Sequence, residues 1–168
     1  MLFSRIRMKK KNRKKLITVA VSGGFDPIHV GHVRLFKHAK KLGDRLVVIL
    51  NNDNWLLKKK GFVFMHDWER KEVIEAVDGV DKVVISSHSK NPKDMSVVAE
   101  LKKIKPDIFA NGGDRDKLDS SKKSSSLNLD RIYCVKNGIK MIFNVGSGGK
   151  VQSSSWLLSK HAERNQRK

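Results

Sequence analysis

Apolar runs rich in β-branched residues recur along the chain at 16–21, 45–50, 81–85, 107–110 and 140–144. Between them apolar residues fall at helical spacing, at about 31–42, 68–77, 95–104, 129–137 and 154–162. Consecutive apolar positions bounded by turn residues read as buried strands, and the 3.6-residue period reads as helices. Strands alternating with helices predict βαβ units and a parallel sheet, an α/β fold. Right-handed crossovers and a ligand crevice at the strand carboxyl ends follow. There is no internal repeat. Two segments, Lys58 to Met65 and the Ser- and Lys-rich stretch Asp116 to Leu127, read as mobile connections, the second as a surface loop or lid.

The junction between the first strand and the first helix carries the chemistry. There the chain reads Gly23-Gly24-Phe25-Asp26-Pro27-Ile28-His29-Val30-Gly31-His32. Free N–H groups at a helix N-terminus bind phosphate, and glycine lets the backbone approach closely. Two imidazoles three residues apart share one side of the first helical turn. They can donate to the charge that develops when a phosphorus is attacked. A capping loop with two incidental histidines explains Gly31 poorly, because glycine inside a helix costs about 1 kcal/mol.

This run resembles the H-x-G-H signature of the cytidylyltransferase-like nucleotidyltransferases, with a G-x-F-D lead-in. The resemblance implies a single Rossmann-like domain with a five-stranded parallel sheet, order 3-2-1-4-5, and helices on both faces. It implies transfer of CMP or AMP from CTP or ATP to a phosphorylated sugar or alcohol, with pyrophosphate released. Nucleotide binding then falls to Gly23, Gly24, Phe25, Asp26, His29 and His32, with His29 and His32 also catalytic. Further segments, within residues 16–158, match in order. The turn and strand from Leu42 through Gly43 to Val48 follow the signature helix, a structural correspondence. Asn51 to Gly61 corresponds to a loop whose lysine contacts phosphate. Lys60 is the first choice as the catalytic lysine, with Lys58 and Lys59 as alternatives, against a merely solvated basic loop. Glu69-Arg70 resembles the family's E-R helix and assigns Arg70 to the nucleotide phosphates, against a helix-surface ion pair. Pro106 to Arg115 resembles the P-D-x-x-x-x-G-G-D segment and gives Gly113 and Asp114 to the nucleotide, against a turn-forming aspartate. Ser153, Ser154 and Ser155 stand where the family holds the β- and γ-phosphates. Serine replaces the usual threonine, and Lys150 stands in for an arginine. Mg²⁺ is expected with the triphosphate; no protein metal site is predicted. The branch containing glycerol-3-phosphate cytidylyltransferase and heptose-1-phosphate adenylyltransferase matches best. Nicotinate-mononucleotide and pantetheine-phosphate adenylyltransferases share the signature, but Glu69–Val84 and Pro106–Asp114 argue against them.

Composition bounds the reading. At 168 residues one domain is expected, large enough for a real core. Cys134 is the lone cysteine, so no disulfide framework exists; a small buried hydrophobe in a reducing, cytoplasmic setting is the expectation. No apolar run is long enough to span a bilayer. No P-loop or zinc spacing occurs, and His38, His66, His88 and His161 read as surface or structural. The net charge of +19 is uneven, with eight cations and no acid between residues 5 and 15. The expected organisation is a basic arm at 1–15, a nucleotidyltransferase domain at 16–160 and a basic tail at 161–168. Met8 offers an alternative start within the arm. A moderately basic domain suits an anionic substrate. The arm reads as solvated, with weak polyanion binding open to it. A nucleic-acid-binding protein on the same fold is the non-enzyme alternative, and retention of both histidines argues against it. A homodimer is compatible with the sequence.

Overall fold

The computed structural model describes residues 15–112, 120–123, 125–146, 153, 154, 156, 157 and 159. Elements run in the order β1 (Thr18–Gly23), α1 (Val30–Lys40), β2 (Arg45–Leu50), α2 (Asp53–Lys60), α3 (Asp67–Glu75), β3 (Lys82–Ile85), α4 (Val98–Ile104), β4 (Ile108–Gly112), α5 (Leu127–Lys136) and β5 (Lys140–Val145). The strands form one parallel sheet in the order β3-β2-β1-β4-β5, as expected. Register aligns Thr18 with Arg45 and Gly23 with Leu50, so β1 and β2 end level. Chain direction reverses its lateral progression at β1, and the crevice between the carboxyl ends of β1 and β4 is where such sheets hold ligands.

Strand residues alternate between two cores. Val19, Val21, Leu46, Val48, Leu50 and Ala110 pack with Phe36 and Ala39 of α1 and Ile74 of α3. Ala20, Ile49 and Phe109 pack with Leu101 of α4 and with Leu127 and Cys134 of α5. Helices therefore cover both faces, and both faces of each central strand are buried, which is why the strands read as continuous apolar runs. Cys134 is the small buried hydrophobe expected; burial, with Asp130 nearby, pushes its thiol up to about 12.

Three readings of the elements need correction. β1 starts two residues later than the apolar run, because Asp44 and Asp107 take the N–H groups of Ile17 and Thr18 and leave Leu16 and Ile17 exposed at the sheet's rim. Lys15, counted with the basic arm, pairs with Asp107 at 2.6 Å. Residues 51–61 form not a loop but helix α2, opened by Asn52, whose side chain accepts from Trp55 N–H, and closed by Gly61 in the left-handed region (φ +82°). Residues 1–14 and 161–168, most of the two basic ends, lie outside the described residues, as do 116–119 and 124 of the expected lid.

Candidate active site

The signature run fills the turn from β1 into α1. Phe25 holds a left-handed backbone (φ +49°), a strained conformation for a residue bearing a Cβ. Its ring is buried and meets His32 and Phe36 edge-on, with centroids 5.0 and 5.1 Å away. The Phe25 side chain thus packs beneath a histidine. A Cβ on Gly24 would stand 2.8 Å from a methyl group of fully buried Leu56, so this position requires glycine.

His29 caps α1. Its Nδ1 accepts from Gly31 N–H at 3.1 Å, and His32 Nδ1 accepts from His29 N–H at 3.3 Å. Each ring therefore uses Nδ1 as an acceptor, which fixes both as the neutral tautomer carrying its proton on Nε2. The rings stack at 3.7 Å with planes 23° apart. Burial, then the Lys60 charge, lowers the His29 pKa; burial, His29 and Lys60 lower that of His32 to about 3. The result is a pair of uncharged imidazoles, each with one Nε2–H free of the helix cap.

Lys60 ends α2. Its Nζ donates to the Asp26 carbonyl at 2.7 Å, and burial lowers its pKa, with Asp26 opposing and Arg70 adding to the effect. Of the lysine run, Lys60 is half-buried and coupled to both histidines. Lys58 turns away to Asn91 at 2.8 Å, and Lys59 is exposed.

Asp26 and Arg70, which the resemblance gives to the nucleotide, also tie the fold together around the signature turn. Both are fully buried. The Asp26 carboxylate accepts from Phe64 and Met65 N–H at 2.9 and 2.8 Å and so ties the α2–α3 connection to the signature turn. Arg70 donates to the carbonyls of Met65, Gly24 and Asn51 and to Asp53 Oδ1, the last at 2.6 Å. Four of its five N–H groups are thereby taken. It braces three segments of backbone. Its partner Asp53, which also meets His66 at 2.9 Å, drew no sequence assignment, since nothing in one sequence links it to Arg70.

On the far side, Ser154 donates from Oγ to the Pro27 carbonyl at 3.0 Å. That contact joins residues 127 apart and brings Ser154 to the signature turn. Ser153 accepts from Leu157 N–H through its carbonyl in a first helical turn. Ser155, Gly113, Asp114 and Lys150 lie outside the described residues. Buried Asn51, at the carboxyl end of β2, leaves its Oδ1 without a partner among the described residues. His88 locks the connection after β3, accepting from Ser86 Oγ and donating to the Ser96 carbonyl, a structural role as expected. Among the described residues no three His, Cys, Asp or Glu side chains gather as a metal group, and no helix is long and apolar enough to cross a membrane.

A parallel sheet ordered 3-2-1-4-5, with a neutral histidine pair and a lysine at the end of its central strand, defines a Rossmann-like nucleotidyltransferase. The chain belongs to the cytidylyltransferase-like family, whose sequence model matches residues 20–145. It is 40% identical to the FAD synthase of Pyrococcus horikoshii over 121 residues, covering 69% of this chain and 78% of that protein. It is 37% identical to the FAD synthase of Thermococcus sibiricus over 135 residues, covering 76% and 88%. The bifunctional protein HldE of Koribacter versatilis is 36% identical over 98 residues, 57% of this chain and 19% of that one. In fold, a lipopolysaccharide core biosynthesis protein from Thermoplasma volcanium superposes with a TM-score of 0.61 at 24% identity, over 80% of this chain and all of that one.

Proposed function

We propose that this chain is an ATP:FMN adenylyltransferase, which makes FAD and releases pyrophosphate. The observation that carries the reading is the 37–40% identity with two FAD synthases over 69–76% of the chain. FMN carries its phosphate on a ribityl alcohol, so it falls within the phosphorylated-alcohol acceptors that the sequence motifs imply. The reaction is one displacement. An FMN phosphate oxygen attacks the α-phosphorus of ATP, a P–O bond forms, and the bond to the bridging α–β oxygen breaks, its electron pair leaving with pyrophosphate. No protein nucleophile is needed, so catalysis is positioning and charge stabilisation.

His29 and His32 donate from Nε2–H to the oxygens of the α-phosphate as charge shifts onto them. Uncharged donors suit this task, because they hold position without drawing a counter-ion into the site. Lys60 is a point charge on a flexible stem and follows the phosphates as they separate. The serine run, Ser153 to Ser155, supplies hydroxyls and helix N-terminal N–H groups to the β- and γ-phosphates. Gly113 and Asp114 meet the ribose or the base. Mg²⁺ arrives with ATP, bridging its phosphate oxygens, as part of the substrate.

The test crosses ATP and CTP with FMN, glycerol 3-phosphate and a sugar 1-phosphate, following pyrophosphate release and resolving FAD by chromatography. ATP with FMN should turn over fastest and yield FAD. Absence of FAD alongside turnover of CTP with glycerol 3-phosphate would overturn the reading.

A further inference from the structure

Large apolar side chains exposed to solvent mark interaction sites when they gather. Among the described residues the exposed aromatics are Phe62, Phe64, Trp68 and Trp156, and three of these four fall within seven residues. Phe62, Phe64 and Trp68 are 44, 57 and 62% exposed, whereas Phe25, Phe36, Trp55 and Phe109 are buried. Along the segment 62, 64 and 66 are exposed and 63 and 65 half-buried, so both phenylalanines present their rings to solvent. The segment is not loose. Asp26 grips it by the N–H groups of Phe64 and Met65, contacts that leave the aromatic rings unconstrained.

Asp26 also accepts from the Lys60 ammonium, so one residue of the signature turn touches both the site's lysine and the backbone bearing the aromatics. Phe62 follows Lys60 by two residues, within about 7 Å along the chain. An acceptor phosphate at Lys60 therefore has its remaining bulk beside an aromatic surface. A sugar or glycerol phosphate has nothing apolar to place there. A flat tricyclic ring joined to the phosphate by a ribityl chain does.

We infer that Phe62, Phe64 and Trp68 form the platform on which the isoalloxazine ring of the acceptor stacks. This assignment rests on the FMN reading above. Stacking on aromatic side chains suits any planar heterocycle and is strong enough to set an acceptor's affinity.

The test uses the full chain carrying Phe64→Leu and Trp68→Leu together, which keeps apolar bulk and removes two π-faces. Both side chains are exposed and the grip on the segment is through backbone, so the melting temperature should stay within a few degrees. The KM for FMN should rise roughly 10- to 100-fold, the range of losing one or two stacked rings. The KM for ATP should stay within about twofold. Lumiflavin, the ring without ribityl or phosphate, should compete with FMN and lose its fluorescence on the parent chain but not on the variant. Trp68→Tyr, which keeps an electron-rich aromatic face, should recover most of the quenching, and Phe64→Leu and Trp68→Leu made singly stand in for the double variant should that one fail to fold. FAD formation with an unchanged FMN KM and no lumiflavin competition would overturn the platform and leave the FMN reading standing. Lumiflavin bound at these residues without FAD formation would do the reverse. A dimer of the parent chain that dissociates in the variant, with flavin binding intact, would make this surface an interface between copies and overturn the inference.

Discussion

His29 and His32 do two jobs with two nitrogens. The Nδ1 atoms complete the N-terminus of α1, and that duty leaves each proton on Nε2, where a phosphate can receive it. Burial above all, and then the nearby Lys60 charge, keeps both rings neutral, with His29 adding to the effect on His32. A consequence follows for stability. Unfolded, His32 titrates near 6.5, and folded it titrates near 3. Between those values the unfolded chain binds more protons, so stability rises with pH across that window and gains nothing further from this group above it. His32→Asn should show a shallower loss of stability between pH 6.5 and 4 than the parent chain, measured by denaturant melts at each pH. Equal slopes would mean that His32 titrates normally. The two histidines were legible because residue type and spacing suffice to place them. Their tautomers were not, because these depend on which backbone N–H groups the turn brings to Nδ1.

The segment from α2 through α3 shows what a linear pattern conceals. The strands were readable because the sheet buries both faces of each, leaving unbroken apolar runs. Helix α2 has no such mark. Its apolar residues Trp55, Leu56 and Leu57 are consecutive and three lysines follow, so no helical period appears, although Asn52 and Gly61 are orthodox start and stop residues. Arg70 was recognisable as important, but its structural partners were not. Its partners are carbonyls of residues 24, 51 and 65, backbone atoms that a sequence does not bring together. Removing a fully buried, hydrogen-bonded ion strands its partners and costs roughly 3–5 kcal/mol. Arg70→Ala should therefore lower the melting temperature by about 10 °C, at roughly 2–4 °C per kcal/mol for a domain of this size. Calorimetry decides it: an unchanged melting temperature with a raised ATP KM would assign Arg70 to the phosphates alone.

Across the whole molecule, the site is built where sheet topology places it. β1 ends at the signature turn, α2 delivers Lys60 from one side, and Ser154 reaches Pro27 from 127 residues away on the other. A net charge of +19 favours the approach of anionic substrates. In the proposed reaction the stacked histidines carry the chemical step of nucleotidyl transfer. Single-turnover rates of FAD formation from ATP and FMN test it most directly, comparing the parent chain with His29→Ala and His32→Ala at matched fold content. Losing one such donor should slow the step by about 10²–10³. FAD formation at near-parental rates in both variants would contradict the account.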